Sequence, residues 1–418
     1  MSFGLTTAND HNSPFLIPTE ERTVVLTTTR SSISNALRMK YDLGNRSSVG
    51  FILTDRRMEG DGSNSVAALD ATVRISEKYN LSIITAVTHT QELNDSLLSR
   101  SLGNFRFETY DGTKSLAFDG EKFYGTLLRT KLNRDSRHWV ATLAYQDFSP
   151  GFRADNGFIT SNSYRMAEFI TAYSFRFEEN PLLNFIRPRI SLWQKYNYQG
   201  VIKDTGIRTS IVFSLKQQTI MQVGGFLFNR ENLYGKQFGD ARLAWLYVEN
   251  RALNSVSGFA QARIGREINR LGIPGNSRNP FEIVPSLNYS VGLTFKPIAQ
   301  LTDVLSYNDF TLWTNAGKQK IRGQKILRNS LSYQFNKNMA VRLIAEYNMV
   351  DYYNSYLSQM INQKYFSFEP LFSYKFNAFS VFYLGGHIGA YNNFYLDRDD
   401  IRVNNQSLFL KFQYLIKS

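Results

Sequence analysis

Cysteine is absent from this 418-residue sequence. Its absence excludes disulfide bridges, thiolate-bound metals and cysteine nucleophiles within this sequence, and we expect no lipid anchor on an N-terminal cysteine. The stability and chemistry of the protein must therefore come from other side chains.

Long apolar runs are also missing. No stretch approaches the roughly 18 to 20 consecutive apolar residues that a membrane-spanning helix requires, so a helical membrane protein is excluded. The first 22 residues, MSFGLTTANDHNSPFLIPTEER, lack the basic start, apolar core and cleavage site of a signal peptide. We therefore predict a polar N-terminal lead-in or plug-like segment over residues 1–22 and one main domain over residues 23–418.

Histidine is scarce, and the four histidines are His11, His89, His138 and His387. None has a partner at the spacing His-x-x-x-His or Glu-x-x-His, so we predict no transition-metal site and no cofactor. His387 is interpreted as a hydrogen-bonded or solvated residue in the interior of the predicted fold.

Three aspartates, Asp397, Asp399 and Asp400, offer oxygen ligands for weak Ca²⁺ binding. They lack the spacing and the terminal glutamate of an EF-hand loop, so a solvated hairpin tip is the favoured interpretation. We predict no metal site here.

Catalytic motifs are missing as well. A membrane lipase would need a nucleophilic serine with a histidine and a carboxylate or asparagine at the lipid-facing edge. The sequence has no Gly-x-Ser-x-Gly elbow, although a barrel enzyme would not need one. We predict no catalytic residues and no enzyme, with a hydrolase kept as an alternative.

The charge balance is basic, with a formal net charge of +13 and a pI near 9.6. Such a charge permits binding to phosphate-rich partners: nucleic acid, lipopolysaccharide head groups or small anions. The basic residues are scattered, and no compact basic patch or recognition motif accompanies them. We therefore predict no nucleic-acid partner.

Aromatic residues are abundant, at 14% of the chain, and apolar residues alternate with polar ones over many segments. The clearest segment is SLNYSVGLTFK, residues 286–296. Leu287, Tyr289, Val291, Leu293 and Phe295 share one face of an extended chain, and small polar residues and Lys296 share the other. This period of two predicts β-strands with one apolar and one polar face.

The predicted strands are long. Strands of soluble sandwiches average about 5 to 6 residues, whereas a bilayer requires about 9 to 11 residues and a closed backbone. The sequence therefore predicts an all-β fold, a closed antiparallel transmembrane β-barrel of about 18 strands, with a range of about 16 to 20, in the bacterial outer membrane. A lumen that wide must hold water, inward-folded loops or a plug.

Two stretches, GNRSSVGFILTDRR (44–57) and FSPGFRADNGFITSNSYR (148–165), resemble the C-terminal β-barrel region of the DUF5916 family of Bacteroidetes and related bacteria. The second stretch is similar to a recurring Phe-Arg-x-Asp-x-Gly-Phe loop of that family. The resemblance implies an outer-membrane barrel of unassigned activity. Family members usually carry an export signal and a carbohydrate-binding-like domain, and we expect a truncated start, an N-terminal partner or a barrel-only member here.

Arg153, Asp155 and Gly157 lie in that loop. We predict that an ion pair or a bidentate hydrogen bond between the two charged residues pins the loop inside the lumen. Direct contact with a ligand and an ordinary exposed turn are the alternatives.

Seven charged strand residues are candidates for a charged lumen: Arg189, Lys195, Arg263, Lys296, Arg342, Glu346 and Lys411. On the polar faces of their strands, the six basic ones would give the lumen a positive potential that favours anions. At strand ends they would instead contact lipid phosphate, and we keep both interpretations.

The chain ends in SLFLKFQYLIKS, residues 407–418. We predict a last strand with one face toward lipid, formed by Leu408, Leu410, Phe412, Tyr414 and Ile416. Lys411 and Gln413 would face the lumen. Such a strand resembles the signal that the barrel-assembly machinery reads.

Together these patterns predict a porin-like transport channel or a membrane-embedded partner of exported proteins. The expected partners are outer-membrane lipid and lipopolysaccharide, the barrel-assembly machinery, and anionic small solutes or an exported protein. Two alternatives stay open: an outer-membrane hydrolase acting on lipid or glycan, and a soluble all-β binding scaffold.

Overall fold

The structure is a computed structural model of the chain. It describes residues 1–102, 114–115, 117–316, 319–354, 359–377, 380–392 and 401–414. Its helix, α1, spans Ser96–Leu102.

The first half of the chain contains strands β1 Ser2–Asp10, β2 Phe15–Pro18, β3 Thr23–Leu26, β4 Ser32–Gly44, β5 Ser47–Met58, β6 Ser63–Arg74, β7 Tyr79–Gln91, β8 Lys122–Arg134, β9 Trp139–Phe148, β10 Tyr164–Tyr173, β11 Phe175–Arg176, β12 Leu183–Asn197 and β13 Ile202–Leu215. The second half contains β14 Thr219–Leu233, β15 Lys236–Gly239, β16 Leu243–Asn250, β17 Val256–Ile268, β18 Ile283–Ile298, β19 Leu301–Trp313, β20 Lys320–Gln334, β21 Met339–Asn354, β22 Gln359–Lys375, β23 Val381–Asn392 and β24 Ile401–Gln413.

Within the described residues, 22 strands belong to one large antiparallel sheet, and β2 and β3 form a separate hairpin. The predicted all-β class with long antiparallel strands is therefore confirmed. No helix in the described part of the chain has both the length and the apolar character needed to cross a bilayer.

The 22 segments exceed the predicted number of about 18 strands. Part of the difference arises because two strands are interrupted without a change of register. β10 and β11 pair with β12 in one register, and β15 and β16 pair with β14 in one register. Each of these pairs of segments is therefore one strand with a local interruption.

The chain divides into two compact units. Unit 1 comprises Met1–Ser174, Arg189–Arg208 and Asn229–Gly239, and unit 2 comprises Phe175–Pro188, Thr209–Phe228 and Asp240–Ser418. The predicted division at residues 22 and 23 falls in the turn between β2 and β3, and it stays a prediction.

Unit 1 is built on strands β4 to β9, which pair in sequence order. Because neighbouring strands are antiparallel, connections 45–46, 75–78 and 135–138 lie at one end of these strands. Residues 92–102 and 117–121, the connection 149–163, and the hairpin between β1 and β4 lie at the other end. We call this second end the loop end of unit 1.

The two faces of the strands differ in exposure, and the apolar face is the more exposed one, the reverse of a soluble protein. In β18, the Leu293 side chain is 57% exposed, whereas Ser286 and Ser290 on the other face are 4% and 7% exposed. In β7, Val87 is 50% exposed and Thr88 is fully buried. Aliphatic residues therefore cover the exposed face, and small polar residues lie on the covered face.

Candidate functional site

Two segments at the loop end of unit 1 form what we call the cap, residues 11–31 and 149–163. In the first, hairpin β2–β3 turns at Thr19, whose N–H donates to the Arg22 carbonyl over 2.9 Å. Phe15 and Ile17 of this hairpin are buried, and they join Leu93, Phe118 and other apolar residues in a small core. Apolar burial therefore holds the hairpin against the loop end.

The second segment of the cap lies against β8. A Cβ on Gly125 would lie 2.3 Å from the Phe152 backbone, so only glycine permits this approach. The buried Phe152 ring packs edge-on against Phe148 at 5.6 Å. Asn162 donates to the carbonyls of Pro150 and Phe152, over 2.8 and 3.1 Å, and thereby closes the loop on itself.

Hydrogen bonds join the two segments of the cap. The Asn162 N–H donates to the Thr19 carbonyl over 3.1 Å. The Thr23 hydroxyl contacts the carbonyls of Ile159 and Thr160 at 2.5 and 3.0 Å. The hairpin and the loop therefore form one structure.

The second segment of the cap contains a buried ion pair between Arg153 and Asp155. The guanidinium donates two hydrogen bonds to the carboxylate, from Nε over 2.5 Å and from Nη2 over 2.9 Å. Both side chains are less than 5% exposed. The Arg153 guanidinium lies 5.1 Å from the centre of the Phe15 ring and 5.6 Å from that of Phe118. The pair thus links the loop to the core of the hairpin.

A second carboxylate, Glu92, faces the same arginine from the connection after β7. Its Oε2 accepts a hydrogen bond from the Phe118 N–H over 3.1 Å. Its Oε1 lies 3.7 Å from Arg153 Nη1, and within the described structure neither of these two atoms has a hydrogen-bond partner. Burial raises the pKa of Glu92 to about 7, more than the nearby Arg153 charge lowers it.

Strands β5 and β6 hold the backbone of the same loop. Arg56 donates to the carbonyls of Asp155 and Pro14, both over 3.0 Å, and so contacts both segments of the cap. Asn64 donates to the Arg153 carbonyl over 3.1 Å and accepts from the Asp155 N–H over 2.9 Å. Apart from Glu92 Oε1 and Arg153 Nη1, the polar groups named here are hydrogen-bonded within the cluster, which is therefore suited to holding the cap in place.

The tip of hairpin β2–β3 has its own anchor. Lys203 of β13, which is almost fully buried, lies 2.8 Å from Glu20 Oε1 and 2.5 Å from Glu21 Oε1. Glu21 also accepts a hydrogen bond from the Tyr234 N–H over 2.9 Å. An ammonium group therefore fastens the hairpin at the end opposite to its apolar core.

Of the three predicted loop residues, the structure brings Arg153 and Asp155 together. Gly157 is exposed, and its N–H donates to the Ala154 carbonyl over 2.9 Å within a turn. That this loop lies inside a lumen stays a prediction.

The predicted lumen charges do not form one cluster. In unit 1, Arg189 and Lys195 share the face of the buried Ser191 in β12, and the Lys195 ammonium lies 4.1 Å from the centre of the Tyr164 ring. Their contribution to a lumen potential stays a prediction.

In unit 2, Glu346 pairs with Arg328 at 3.2 Å. Arg263 lies between Trp245 and Asn288 on neighbouring strands. Lys296, Arg342 and Lys411 are exposed and separate.

In the last strand, Leu408, Leu410, Phe412 and Tyr414 are all more than half exposed. The alternate positions of β24 are exposed as well, so exposure does not distinguish the two predicted faces. Ile416 lies outside the described residues, and so do Asp397, Asp399 and Asp400. No group of His, Cys, Asp or Glu side chains able to hold a metal ion occurs among the residues that the structure describes.

The arrangement most similar to a nucleophilic site lies on the exposed face of unit 1. Ser65 of β6 is paired directly with Asp55 of β5 on one side and with His89 of β7 on the other. The Ser65 hydroxyl donates to Asp55 Oδ1 over 2.6 Å. A serine triad instead places the histidine between the serine and the acid, so this geometry does not activate the serine.

Four residues that hold the cap were not predicted from the sequence: Glu92, Arg56, Asn64 and Lys203. Each is a single polar residue at the end of a strand, and no spacing relates it to the Arg153 loop. Asn64 lies 89 positions before its partner Arg153, and Arg56 lies 99 positions before its partner Asp155. Only the pairing of strands brings these residues to the loop.

No family model matches the sequence, and no curated protein matches it. Among solved structures, the siderophore receptor PirA from Acinetobacter baumannii is similar over 98% of this chain and 73% of its own, with 9% identity and a TM-score of 0.56. A variant of the ferric enterobactin receptor PfeA from Pseudomonas aeruginosa is similar over 93% and 74%, with 8% identity and a TM-score of 0.49. These neighbours are outer-membrane receptors. At this level of identity the likeness to PirA shows the fold alone: this chain shares the large antiparallel sheet of an outer-membrane barrel protein.

Proposed function

We propose that the protein is an outer-membrane β-barrel with a transport role, of DUF5916 type and not an enzyme. Its 22-stranded sheet would close on itself in the membrane, because lipid offers no hydrogen bonds to an open sheet edge. The fold shared with PirA supports the barrel.

The observation that carries this proposal is the reversed arrangement of the two faces. Leu293 and Val87 are at least half exposed, whereas Thr88 and Ser290 are nearly inaccessible. Exposed aliphatic rows fit a lipid environment, and covered polar rows fit the interior of a barrel. A soluble scaffold would place these rows the other way round.

The cap supports gated rather than open passage. Hairpin β2–β3 and loop 149–163 are joined to each other and to the strands by buried contacts, so their displacement requires several bonds to break together. Solutes would then pass the loop end of unit 1 only when the cap moves. The basic residues on polar faces, with Arg189 and Lys195 as examples, would favour anionic solutes.

The absence of native cysteine offers a direct test. In Thr23→Cys/Thr160→Cys, the two thiols are the only ones in the chain, and they lie across the contact between hairpin and loop. We expect low single-channel conductance in a planar bilayer when a short thiol cross-linker joins them, and higher conductance when a reductant releases it. The two single-cysteine variants, treated in the same way, control for modification alone.

Deletion of the hairpin completes the test. We expect a variant lacking residues 12–29 to conduct more than the wild type. If neither wild type nor this variant conducts, the transport proposal is wrong, even if the barrel assembles.

The hydrolase alternative is tested on the Ser65 arrangement. We expect the purified protein to release no fatty acid from phospholipid vesicles, and Ser65→Ala to behave as the wild type. Turnover by the wild type that Ser65→Ala abolishes would establish the hydrolase and overturn the proposal of a non-enzyme.

A further inference from the structure

A cavity lies in unit 2, against the connection 269–282 between β17 and β18. Its volume is about 470 Å³, within the range of small-molecule sites. Its polar lining includes Asn269, Asn279, Arg322, Tyr352, Asn354 and Gln363. Leu271 and Ile321 supply part of its apolar surface.

One wall of this pocket is the connection itself, which is internally bonded. Asn269 is 2% exposed and donates to Asn279 Oδ1 over 2.8 Å and to the Pro280 carbonyl over 2.9 Å. Asn279 donates to the Leu271 carbonyl over 3.1 Å. A Cβ on Gly272 would lie 2.2 Å from the Pro280 carbonyl oxygen, so the two arms of the connection are in close contact. The wall is therefore preorganised.

The opposite wall is formed by β20, β21 and β22. Arg322 is paired directly with Tyr352, and Val350 with Gln363, so the guanidinium, a phenol and a carboxamide lie on adjacent strands. The neighbouring cation Lys320 pairs with Asp351. Among the described residues, Arg322 has no carboxylate within 4.0 Å and makes no side-chain hydrogen bond. This pocket therefore contains a guanidinium that the protein itself does not neutralise.

We propose that this pocket binds an acidic saccharide, a sugar of one or two rings that carries a carboxylate. Arg322 would donate two parallel hydrogen bonds to the carboxylate, as guanidinium groups do with planar anions. The Gln363 carboxamide can donate and accept, which suits the hydroxyl groups of a sugar. Asn269 and Asn279 bond to each other and shape the wall. The Tyr352 ring and the apolar residues would contact the C–H faces of the ring.

The combination of groups distinguishes this ligand from a bare inorganic anion. Phosphate or sulfate would need several cations or backbone N–H groups, and the pocket supplies one unpaired guanidinium among neutral amides. A volume of about 470 Å³ also exceeds what a small ion fills. The inference rests on the proposed transport function, for which this pocket would be a solute-binding site.

Isothermal titration calorimetry of the detergent-purified protein tests the inference. The probes are cellobiouronic acid and cellobiose, which differ by a carboxylate in place of a hydroxymethyl group. We expect the acid to bind at least about 10-fold more tightly than the neutral sugar, since a charge-assisted bidentate bond discriminates by that factor.

Two variants locate the binding. Arg322→Gln should lose the preference for the acid, whereas Arg263→Gln, which removes an arginine of the same unit outside the pocket, should keep it. Equal binding of the two sugars, binding of neither, or equal loss in both variants would each overturn the inference. Because the measurement requires no membrane, a protein that conducts but does not bind would leave the transport proposal intact.

Discussion

The two arginines, Arg153 of unit 1 and Arg322 of unit 2, show two uses of the same side chain. Arg153 is 3% exposed and its bidentate partner, Asp155, belongs to the same loop. Arg322 is half-buried in a pocket, and no carboxylate of the described residues lies within ion-pair distance of it. A guanidinium that the protein satisfies holds structure together, whereas one that is left unsatisfied in a pocket is available to a ligand.

The difference follows from the cost of removing charge from water. A buried guanidinium without a partner carries a large desolvation penalty, so Arg153 is stable only with Asp155. Arg322 stays in contact with water and needs no internal partner. Substitutions on the Arg153 side should therefore change stability, and those on the Arg322 side should change binding.

The largest expected effect is on the stability of unit 1. Arg153→Met should lower the free energy of unfolding by about 3 to 5 kcal/mol, because it leaves the Asp155 carboxylate buried without its partner. Urea unfolding in detergent micelles measures the loss. The matched control is Arg57→Met, which removes an exposed arginine bound to Asp55 and should cost less than about 1 kcal/mol.

The double variant Arg153→Met/Asp155→Leu sharpens the same test. Removal of both charges should recover part of the loss, since no unpaired carboxylate then remains. If the double variant is less stable than Arg153→Met alone, the ion pair is not the group that holds the cap.

The next effect is a dependence on pH that arises at Glu92. Burial raises the pKa of this carboxyl from 4.5 to about 7, so the folded protein keeps a proton that the unfolded chain releases. The stabilisation is fully present below pH 4.5 and is lost as the pH rises through about 7. We expect Glu92→Gln to be more stable than the wild type at pH 8.5, by up to about 3 kcal/mol.

Urea unfolding of both proteins at pH 4 and at pH 8.5 measures this difference. At pH 4 the two should be nearly equal, because the glutamic acid is then neutral in both states. A constant difference at both pH values would mean that Glu92 is ionised beneath the cap.

A third test concerns the two faces that carry the proposed membrane location. Leu293→Arg places a charge on the exposed face near the middle of β18 and should cost about 2 to 4 kcal/mol in lipid vesicles. Thr294→Arg, one position further and on the other face, should cost about 1 kcal/mol or less. Equal costs, measured by urea unfolding in vesicles, would argue against a lipid-facing row.

The smallest effect is expected at the hairpin anchor. Lys203→Met removes the ammonium group between Glu20 and Glu21 and should destabilise the hairpin by about 1 to 2 kcal/mol. Hydrogen exchange should become faster in residues 15–26 and stay unchanged in β18. Faster exchange in both would indicate a general loss of stability instead.

The sequence predicted the sheet because its signal is local. In residues 286–296, alternation alone separates Leu293 from Ser290, and the structure places these residues on opposite faces with opposite exposure. The Arg153 and Asp155 pair was predictable for the same reason, since the two residues lie two positions apart in a loop that bends at Gly157.

The partners of that loop were not predictable. Glu92, Arg56 and Asn64 reach it through the pairing of β5 to β8, and a period of two does not specify which strand ends carry inward-folded loops. Part of the difference in strand count arises because Ser174 and residues 240–242 interrupt two strands. The pocket around Arg322 likewise forms because residues 269–282 fold back against β20 to β22. The polar sequence of this connection does not by itself predict that conformation.

Gly50 permits an ion pair that depends on the register of three neighbouring strands. Arg38 of β4 and Asp70 of β6 form a bidentate pair across the intervening strand, with Nη2 to Oδ2 at 2.9 Å. A Cβ on Gly50 would lie 2.5 Å from the guanidinium and 2.7 Å from the carboxylate, so the pair closes only over glycine. A slip of β5 by one residue would put Val49 or Phe51 beneath the pair and block it. The Arg38–Asp70 pair therefore forms only with Gly50 beneath it, so it stabilises the observed alignment of β4, β5 and β6 over one shifted by a single residue.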